Sequence, residues 1–294
     1  MRTALPLFAS LFLLAGGTGA AQSDPRPELL RLINAERQRV GAPPLRLSPA
    51  LTRAAEEHAA AIAARGTLKL QASSTEEMRQ RLKRVGYAAH SWTESLATST
   101  GDSETVMRNW RRGDPQSYRR VLASEVRDLG LGFDRLRGAP LYIFLFAVPE
   151  EEYFARGTAG IRDLNQVRAE MLARVNEARK KAGVAPLRAN ARLDQAAQRH
   201  AEDMLARGYF AHQSPEGKTV RERARAAGYD WRNIGENIAE GQFSVAEVMD
   251  TWMHSPGHRR NILDPDFKEL GVGLALGRNG NYRVVWAQVF GTRR

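Results

Sequence analysis

Cysteine is absent from all 294 residues of the chain. Its absence excludes disulfide scaffolds, cysteine-ligated zinc, iron–sulfur clusters, thiol nucleophiles and lipid attachment through an N-terminal cysteine. Long basic runs are absent too, because no block of lysine and arginine exceeds three residues although the net charge is +11. Nucleic-acid binding requires clustered positive charge, so we expect no nucleic-acid partner. The evenly spread excess of positive charge favours a solubilising surface. It is also compatible with an anionic component of the cell envelope as a partner.

No apolar segment of membrane-spanning length follows the N-terminus. Residues 5–15 (LPLFASLFLLA) lie between Arg2 and the small residues 16–21. This order is typical of a secretory signal peptide, and the run is too short to span a bilayer; a retained anchor is the alternative. We predict a signal peptide over residues 1–21. The mature protein is then secreted, periplasmic or in the cell envelope, with no transmembrane segment after signal removal.

The chain contains two copies of one sequence pattern. Matching residues recur 142 positions apart without a gap, and later matches recur at spacings of 141 and 140. The matches include His58 with His200, Glu94 with Glu236, Trp110 with Trp252, residues 129–132 with 270–273, Tyr142 with Tyr282 and Ala147 with Ala287. We predict two domains, residues 27–149 and 163–294, joined by a polar, glycine-containing linker over residues 150–162.

In the second copy, helical spacing comes first and strand alternation comes last. Apolar residues recur at helical spacing over residues 164–178 and again over 190–208, where Asn190 suits the helix start and Gly208 the helix end. Residues 218–227 predict a third helix, and Ser244 with Glu247 is the capping box of a fourth. Residues 270–290 alternate as two strands around an Asn-Gly turn. Helices followed by an antiparallel sheet indicate the α+β class.

Three segments of the second copy carry specific motifs. They are F-x-H-x-S-P-x-G over residues 210–217, G-E-N-I-A over 235–239 and W-x-x-S-P-G-H-R-x-N-I-L over 252–263, followed by strands with G-V-G and W-x-Q-V-F. Together they resemble the CAP superfamily (cysteine-rich secretory, antigen 5 and pathogenesis-related-1 proteins), and its cysteine-free bacterial SCP-type branch in particular. The resemblance covers about residues 165–292. It implies a three-layer α–β–α sandwich with an open cleft, present twice, with the first copy degenerate.

The resemblance also implies a candidate metal site. In some CAP proteins two histidines and two glutamates in the cleft bind a divalent cation. His212 matches the first histidine and Glu236 the first glutamate, whereas Val285 stands where the second histidine is expected and residues 253–254 stand where the second glutamate is expected. His258 is the local substitute. The resemblance therefore supports His212, Glu236 and His258 as ligands of a divalent cation such as zinc, with no other cofactor.

Two imidazoles and one carboxylate on separate loops suit a zinc-like ion with an open position, and a water bound there would suit hydrolysis. A structural polar network, a metal site without turnover and a catalytic site are all open interpretations. No H-E-x-x-H, G-x-S-x-G or P-loop pattern favours an enzyme, so no catalytic residue is assigned. Five further residues are candidates for the ligand-binding cleft, the two tryptophans being candidates for the core as well: Ser214, Asn237, Trp252, Trp286 and Gln288.

The first copy serves as an internal control for these candidates. Its counterparts of His212 and His258 are Leu70 and Tyr118, whereas the acidic residue is kept as Glu94. A copy that keeps its core positions and loses both imidazoles is expected to be a scaffold or a partner surface. The comparison favours a ligand role for the two histidines of the second copy.

The sequence therefore predicts an exported, non-catalytic protein that binds an extracellular ligand through a His/Glu cleft in its second domain. The ligand class is open among lipids, glycans (anionic ones included) and proteins. The alternative is a metal-dependent hydrolase or peptidase that uses His212, Glu236 and His258. A purely structural envelope protein is a third possibility. His58 and His200 lie on apolar helical faces and are expected to be core histidines.

Overall fold

The computed structural model describes residues 24–66, 73–278 and 280–294. The predicted signal peptide over residues 1–21 lies outside these residues, as does Leu70. The chain divides into two units, unit 1 up to Tyr153 and unit 2 over Phe154–Arg294. None of the described helices combines the length and the apolar character needed to cross a bilayer.

Unit 1 begins with helices and ends with an antiparallel hairpin, as the sequence predicts, but two strands that the sequence does not predict lie between its helices. Its elements are α1 Arg26–Arg39, β1 Arg46–Leu47, α2 Pro49–Arg65, α3 Thr75–Arg84, β2 Ala89–Thr98, α4 Ser103–Gly113, α5 Pro115–Val121, β3 Asp128–Leu136 and β4 Ala139–Pro149. Helix α6, Glu150–Thr158, follows and contains the boundary between the units. The segment predicted as a linker is therefore largely helical.

Unit 2 repeats this order. Its elements are α7 Leu164–Lys181, β5 Arg188–Ala189, α8 Ala191–Arg207, α9 Val220–Ala226, β6 Trp231–Glu240, α10 Val245–His254, α11 Pro256–Leu263, β7 Glu269–Leu276 and β8 Val284–Arg293. Helix α9 is shorter than the sequence predicts, because Thr219 and Glu222 form a capping box that fixes the helix start at residue 220.

Each unit is a sheet covered by helices on both faces. The strand orders are β1-β3-β4-β2 and β5-β7-β8-β6. The three long strands of each sheet are antiparallel, as predicted, whereas the two-residue strands β1 and β5 pair in parallel. In unit 2, buried side chains of α7, α10 and α11 pack on one face and those of α8 and α9 on the other. This arrangement confirms the predicted α+β class and the α–β–α sandwich.

The repeated G-x-G motif brings a helix close to the sheet. In unit 2 a Cβ atom on Gly271 would overlap the backbone of Leu193, and one on Gly273 would overlap the backbone of Ala197. Both glycines lie on β7 and both contacted residues lie on α8. Gly130 and Gly132 make the equivalent approach to α2 in unit 1. Only glycine permits this separation, which explains why the motif occurs in both copies.

The final strands do not align at the spacing of 140 that the sequence suggests. Glu94 pairs with Leu145 and its counterpart Glu236 pairs with Val289, so equivalent positions in the last strands are 144 apart. The loop of the second β-hairpin is longer than that of the first. In unit 1 strand β3 ends at Leu136 and β4 begins at Ala139, whereas in unit 2 strand β7 ends at Leu276 and β8 begins at Val284. The Tyr142–Tyr282 and Ala147–Ala287 matches were therefore wrong, because similar residues lie at non-equivalent places in the hairpin.

A fully buried arginine in each unit binds backbone carbonyl groups. In unit 2 the Arg179 guanidinium donates to four carbonyl oxygens, those of Ala185 (2.7 Å), Ile262 (2.8 Å), Asp264 (2.9 Å) and Phe267 (3.3 Å). Arg37 does the same in unit 1 with the carbonyls of Pro43, Val121, Ala123 and Val126. Burial lowers the pKa of both side chains. In unit 2 this arginine fixes the end of α11, the helix that carries His258.

The buried arginine predicts a large and local loss of stability on substitution. Arg179→Met leaves four carbonyls without their donor, and we expect the free energy of unfolding of unit 2 to fall by about 3 kcal/mol or more. Arg174→Met is the matched control, because Arg174 lies on the same helix, is 43% exposed and pairs with Glu170 at the surface. We expect this control to change stability by about 0.5 kcal/mol or less. Urea unfolding, with hydrogen exchange of residues 262–268, measures both, and equal losses would contradict the assignment.

Candidate functional site

The candidate site forms around a carboxylate on strand β6. The Glu236 side chain is only 3% exposed. His212 lies in the loop after α8, Arg223 lies on α9, and His258 lies in the first turn of α11. The backbone carbonyl of Glu236 accepts a hydrogen bond from Asn261 Nδ2 at 3.1 Å. Three separate segments, two of which carry sequence motifs, therefore meet at Glu236, which lies on a strand and not on the loop that the sequence predicts.

Both carboxylate oxygens of Glu236 have partners. Oε1 lies 2.8 Å from His212 Nδ1, and Oε2 accepts a hydrogen bond of 2.6 Å from Arg223 Nη2. The same guanidinium nitrogen donates to the carbonyl of His212 at 3.1 Å. An ionised carboxylate only accepts hydrogen bonds, so His212 Nδ1 is the donor. Arg223 thus compensates the buried charge and also holds the loop that presents His212.

His212 is the exposed member of this group, with 58% of its side chain accessible. Because Nδ1 carries the proton that is donated to Glu236, Nε2 of the neutral ring is an acceptor. A carboxylate that orients a histidine in this way fixes both the ring position and the tautomer. The site therefore presents one oriented imidazole to solvent above a buried ion pair.

His258 is half buried beside His212. Burial lowers the pKa of the His258 imidazole below its ordinary value of 6.5, and a proton on His212 would lower it further. Its Nδ1 is buried without a hydrogen-bond partner among the described residues. The ring centroid lies 6.5 Å from that of Trp252. Burial therefore disfavours a charge on His258, and the hydrogen bonds of Asn237 and Asn261 hold its helix against the strand that carries Glu236.

A network of amides ties α11 to the sheet below the two histidines. Asn237 Nδ2 donates to the carbonyl of His258 at 3.1 Å and to Gln288 Oε1 at 3.3 Å, while Asn237 Oδ1 accepts from Asn261 Nδ2 at 2.9 Å. Asn237 and Gln288 are both fully buried. They position His258 from below rather than line an open cleft, which corrects the sequence prediction for these two residues.

The other three cleft candidates are also internal. Trp252 and Trp286 are fully buried, and their indole nitrogens donate to the carbonyls of Ile238 and Gln242. Both tryptophans are core residues and offer no platform to a ligand. The Ser214 hydroxyl donates to Glu216 at 3.0 Å and accepts from the backbone of Lys218 at 3.3 Å, so it closes the loop after His212.

The predicted metal ligands do not form a preformed metal site. No group of three or more histidine, aspartate and glutamate side chains in the described part of the chain is arranged to hold a metal ion. The reason lies in Glu236, because one oxygen is bonded to His212 and the other to the Arg223 guanidinium. A cation on Glu236 would have to displace a positive charge already at hydrogen-bonding distance. Zinc binding therefore stays a prediction, and it needs a rearrangement of Arg223.

Unit 1 contains the same acid in a closed form. Glu94 is fully buried and bonds to His58 Nδ1 at 2.7 Å, to Arg81 Nη1 at 3.0 Å and to the backbone nitrogen of Ser73 at 2.9 Å. His58 is therefore a satisfied buried histidine, as predicted. Its counterpart His200 is also buried, but lies 3.9 Å from Glu236 and bonds instead to the carbonyl of Ala211 at 3.1 Å. In unit 2 the exposed His212 has taken the place next to the acid.

Arg223 is the functional residue that the motifs missed. It lies outside all three motif segments, on a short helix for which the sequence predicts no role beyond the fold. The internal repeat contained the signal, since Arg81 and Arg223 are 142 positions apart, as are Glu94 and Glu236. A basic residue that recurs together with a buried acid indicates an ion pair.

The buried acid of unit 1 predicts a loss of stability in acid. Burial alone would raise the pKa of Glu94, but hydrogen bonds and charges from His58, Ser73 and Arg81 together lower it below 4.5. A carboxyl whose pKa is lower in the folded state stabilises the fold above about pH 4.5, and this contribution is lost as the pH falls through the folded value. Unfolding free energies measured between about pH 7 and pH 3 should fall less steeply in Glu94→Gln. Glu57→Gln, at a half-exposed site, should keep the wild-type slope; an unchanged slope in Glu94→Gln would refute the assignment.

A family model described as the cysteine-rich secretory protein (CAP) family matches residues 30–145 and 172–290. The two matched regions lie in unit 1 and unit 2 respectively, which confirms that the domain is duplicated. Among curated proteins, the chain is 38% identical over 115 residues to the uncharacterized protein YkwD of Bacillus subtilis (strain 168), covering 39% of this chain and 43% of YkwD.

A second relative is the uncharacterized membrane protein YlbC of the same organism, 32% identical over 105 residues that cover 36% of this chain and 30% of YlbC. The chain thus spans less than half the length of either relative. Among solved structures it is similar to an outer surface protein of Borrelia burgdorferi, with a TM-score of 0.42, 20% identity and coverage of 45% of this chain and 97% of that chain. With both of its units matched by the family model, the chain belongs to the cysteine-rich secretory protein (CAP) family.

Proposed function

We propose that this CAP protein is exported and that unit 2 binds an extracellular ligand, without catalysis, at the surface formed by the imidazoles of His212 and His258. We call this the His212 surface. The observation that carries the proposal is the exposure of His212, which is 58% accessible although its Nδ1 is fixed on a buried carboxylate. In unit 1 the acid pairs instead with a buried histidine. Among the described residues of the two units, it is unit 2 that keeps a polar group oriented toward solvent beside this acid.

The chemistry of the surface favours a ligand that donates hydrogen bonds. His212 Nε2 is an acceptor because Nδ1 holds the proton. His258 adds a second neutral ring, since burial lowers its pKa. Sugar hydroxyls, the hydroxyl of a sterol-like lipid and protein amides all supply such donors. The ligand classes expected from the sequence therefore remain glycan, lipid and protein.

The hydrolase alternative requires Glu236 as a metal ligand or as a general base. Both of its oxygens are engaged, one of them by the Arg223 guanidinium at 2.6 Å. The ion pair with Arg223 must break before Glu236 can take up a proton or bind a cation. This arrangement supports the binding interpretation over the hydrolase.

Export is proposed from the N-terminal sequence. The segment over residues 1–21 has the charge, apolar length and small residues of a signal peptide. A protein that folds outside the cytoplasm without cysteine must rely on its packed cores, and each unit has two, one on each face of its sheet. Secretion or residence in the cell envelope is the proposed location.

The His212 surface can be tested with three probes that donate hydrogen bonds: an N-acetylglucosamine tetramer, a sterol and a polyglycine peptide. We expect at least one of them to shift the NMR signals of the His212 and His258 rings in the full chain. His212→Ala removes the exposed acceptor and should weaken binding of that probe about tenfold, the effect of losing one well-made hydrogen bond to a ligand.

His254→Ala is the matched control, because His254 is 79% exposed and lies on the neighbouring helix α10. It should bind the probe with wild-type affinity. Absence of ring shifts with all three probes would count against the His212 surface. Equal weakening in both alanine variants would do the same.

The zinc prediction is tested through Arg223. If zinc takes Glu236 as a ligand, it must displace the guanidinium, so Arg223→Gln should bind zinc at least about tenfold more tightly than the wild type. Isothermal titration, with metal analysis of untagged protein, measures the difference. Arg225→Gln is the control from the same helix and should bind as the wild type does. Stoichiometric zinc in the wild type with no gain in Arg223→Gln would show that the acid is not a ligand.

A further inference from the structure

A second surface of unit 2 concentrates arginines around one tryptophan. The Arg221 guanidinium lies 5.5 Å from the centroid of the Trp231 ring, and that of Arg225 lies 4.9 Å from it. Arg294 donates to the carbonyl of Trp231 at 3.3 Å. Two more arginines contact the turn before Trp231. Arg293 lies over the Tyr229 ring, and Arg192 donates to the carbonyl of Gly228. We call this set the Trp231 patch: Arg192, Arg221, Arg225, Trp231, Arg293 and Arg294.

The charges of this patch are only partly balanced. Arg293 lies 3.3 Å from Glu269, and Arg294 lies 3.8 Å from Asp230. Arg192, Arg221 and Arg225 have no carboxylate within 4.0 Å among the residues that the structure describes. All five arginines are exposed. Five guanidinium groups against the three carboxylates of Glu222, Asp230 and Glu269 form a local excess of positive charge, although the chain as a whole spreads its charge evenly.

Helix α9 separates this patch from the His212 surface. Arg221 and Arg225 are four residues apart and therefore share one helix face. Arg223 lies between them in sequence, on another face, where it reaches Glu236. The patch is thus a different site from the one proposed for the ligand above, and the inference does not rest on that proposed function.

Trp231 orders the patch. Its indole nitrogen donates to the carbonyl of Arg221 at 3.3 Å, which fixes the ring on α9. Guanidinium groups that lie against an aromatic ring lose part of their rotational freedom before any ligand arrives. A preorganised array of arginines loses less entropy on binding an anion than free surface arginines do.

Unit 1 lacks the patch. By the spacing of 142 the counterparts of Arg192 and Trp231 are Ala50 and Ala89, and by the register of the last strands Pro149 stands in the place of Arg293. Glu150 follows where Arg294 stands in unit 2. The fold therefore forms without these residues, so stability does not require them.

The chemistry of the patch selects the class of partner. Arginine forks bind phosphate and carboxylate oxygens in pairs. A membrane surface would in addition engage exposed apolar side chains. The exposed large hydrophobic residues of the described chain are Val40, Leu47 and Phe210, and none belongs to the patch. We propose that the Trp231 patch binds an anionic polysaccharide that carries repeated carboxylate or phosphate groups.

The experiment compares two triple variants of the full chain. Arg221→Gln/Arg225→Gln/Arg294→Gln removes three charges from the patch. Arg79→Gln/Lys83→Gln/Arg112→Gln removes three charges from unit 1, including the two that correspond to Arg221 and Arg225. Trp231→Leu leaves the charge unchanged. Circular dichroism and thermal unfolding check that all variants are folded.

Polygalacturonate and long-chain inorganic polyphosphate are the probes, for carboxylate and phosphate respectively, and phosphatidylglycerol vesicles test the membrane alternative. We expect the patch triple variant to bind the preferred polymer about tenfold more weakly, with a shallower dependence of affinity on salt, because fewer counterions are released. The unit 1 triple variant should lose about twofold or less. Trp231→Leu should weaken binding about threefold through lost order.

Equal losses in the two triple variants would overturn the proposal, because they would show an effect of net charge alone. Lack of binding to both polymers at low ionic strength would also overturn it. Tighter binding to vesicles than to either polymer, with the same loss in the patch variant, would assign the surface to a membrane instead. A preference for one polymer identifies the anionic group that the patch recognises.

Discussion

A buried carboxylate on a strand of each sheet constrains much of the surrounding structure. Glu94 and Glu236 are both almost inaccessible, with 2% and 7% of the whole residue exposed. An uncompensated charge at such a depth would cost several kcal/mol. Each unit compensates the acid with an arginine from the short helix before the strand, Arg81 or Arg223. The ion pair therefore fixes helix, loop and strand together, and it explains why this pair is kept in both copies while its neighbours differ.

The copies differ in which histidine completes the pair. In unit 1 the core residue His58 bonds to the acid, and the carboxylate is closed off from solvent. In unit 2 the core residue His200 bonds to a backbone carbonyl, and the acid binds the exposed His212. One exchange of partner turns a structural ion pair into a support for a surface group. In the proposed function the buried acid acts through the residue it orients, with its own oxygens withdrawn from solvent.

The sequence predicted the fold well because its signals are local or repeated. Helix caps such as Asn190 and the G-x-G strands identify elements from a few residues, and the spacing of 142 identified the duplication. Prediction failed where the answer depends on tertiary pairing. The register of the last strands depends on the length of the hairpin loop, and similar residues at non-equivalent positions hid the difference in length. Gln288 and Trp286 are buried because of the strand face on which they lie, and no motif specifies that face. The partner of Glu236 required a third segment, α9, that carries no motif of its own.

Helix α9 shows how one short element serves both an interior and a surface. Its middle arginine, Arg223, neutralises the buried acid, while Arg221 and Arg225 lie against Trp231. The corresponding helix of unit 1 keeps the inner arginine as Arg81, and the strand after it has Ala89 in the place of the tryptophan. The inner residue is under the constraint of burial, because loss of one partner leaves the other charged and alone. The outer arginines have counterparts of the same charge in unit 1, Arg79 and Lys83, so at this surface the copies differ in the tryptophan and not in the charge of the helix, whereas identity at the inner position reflects burial.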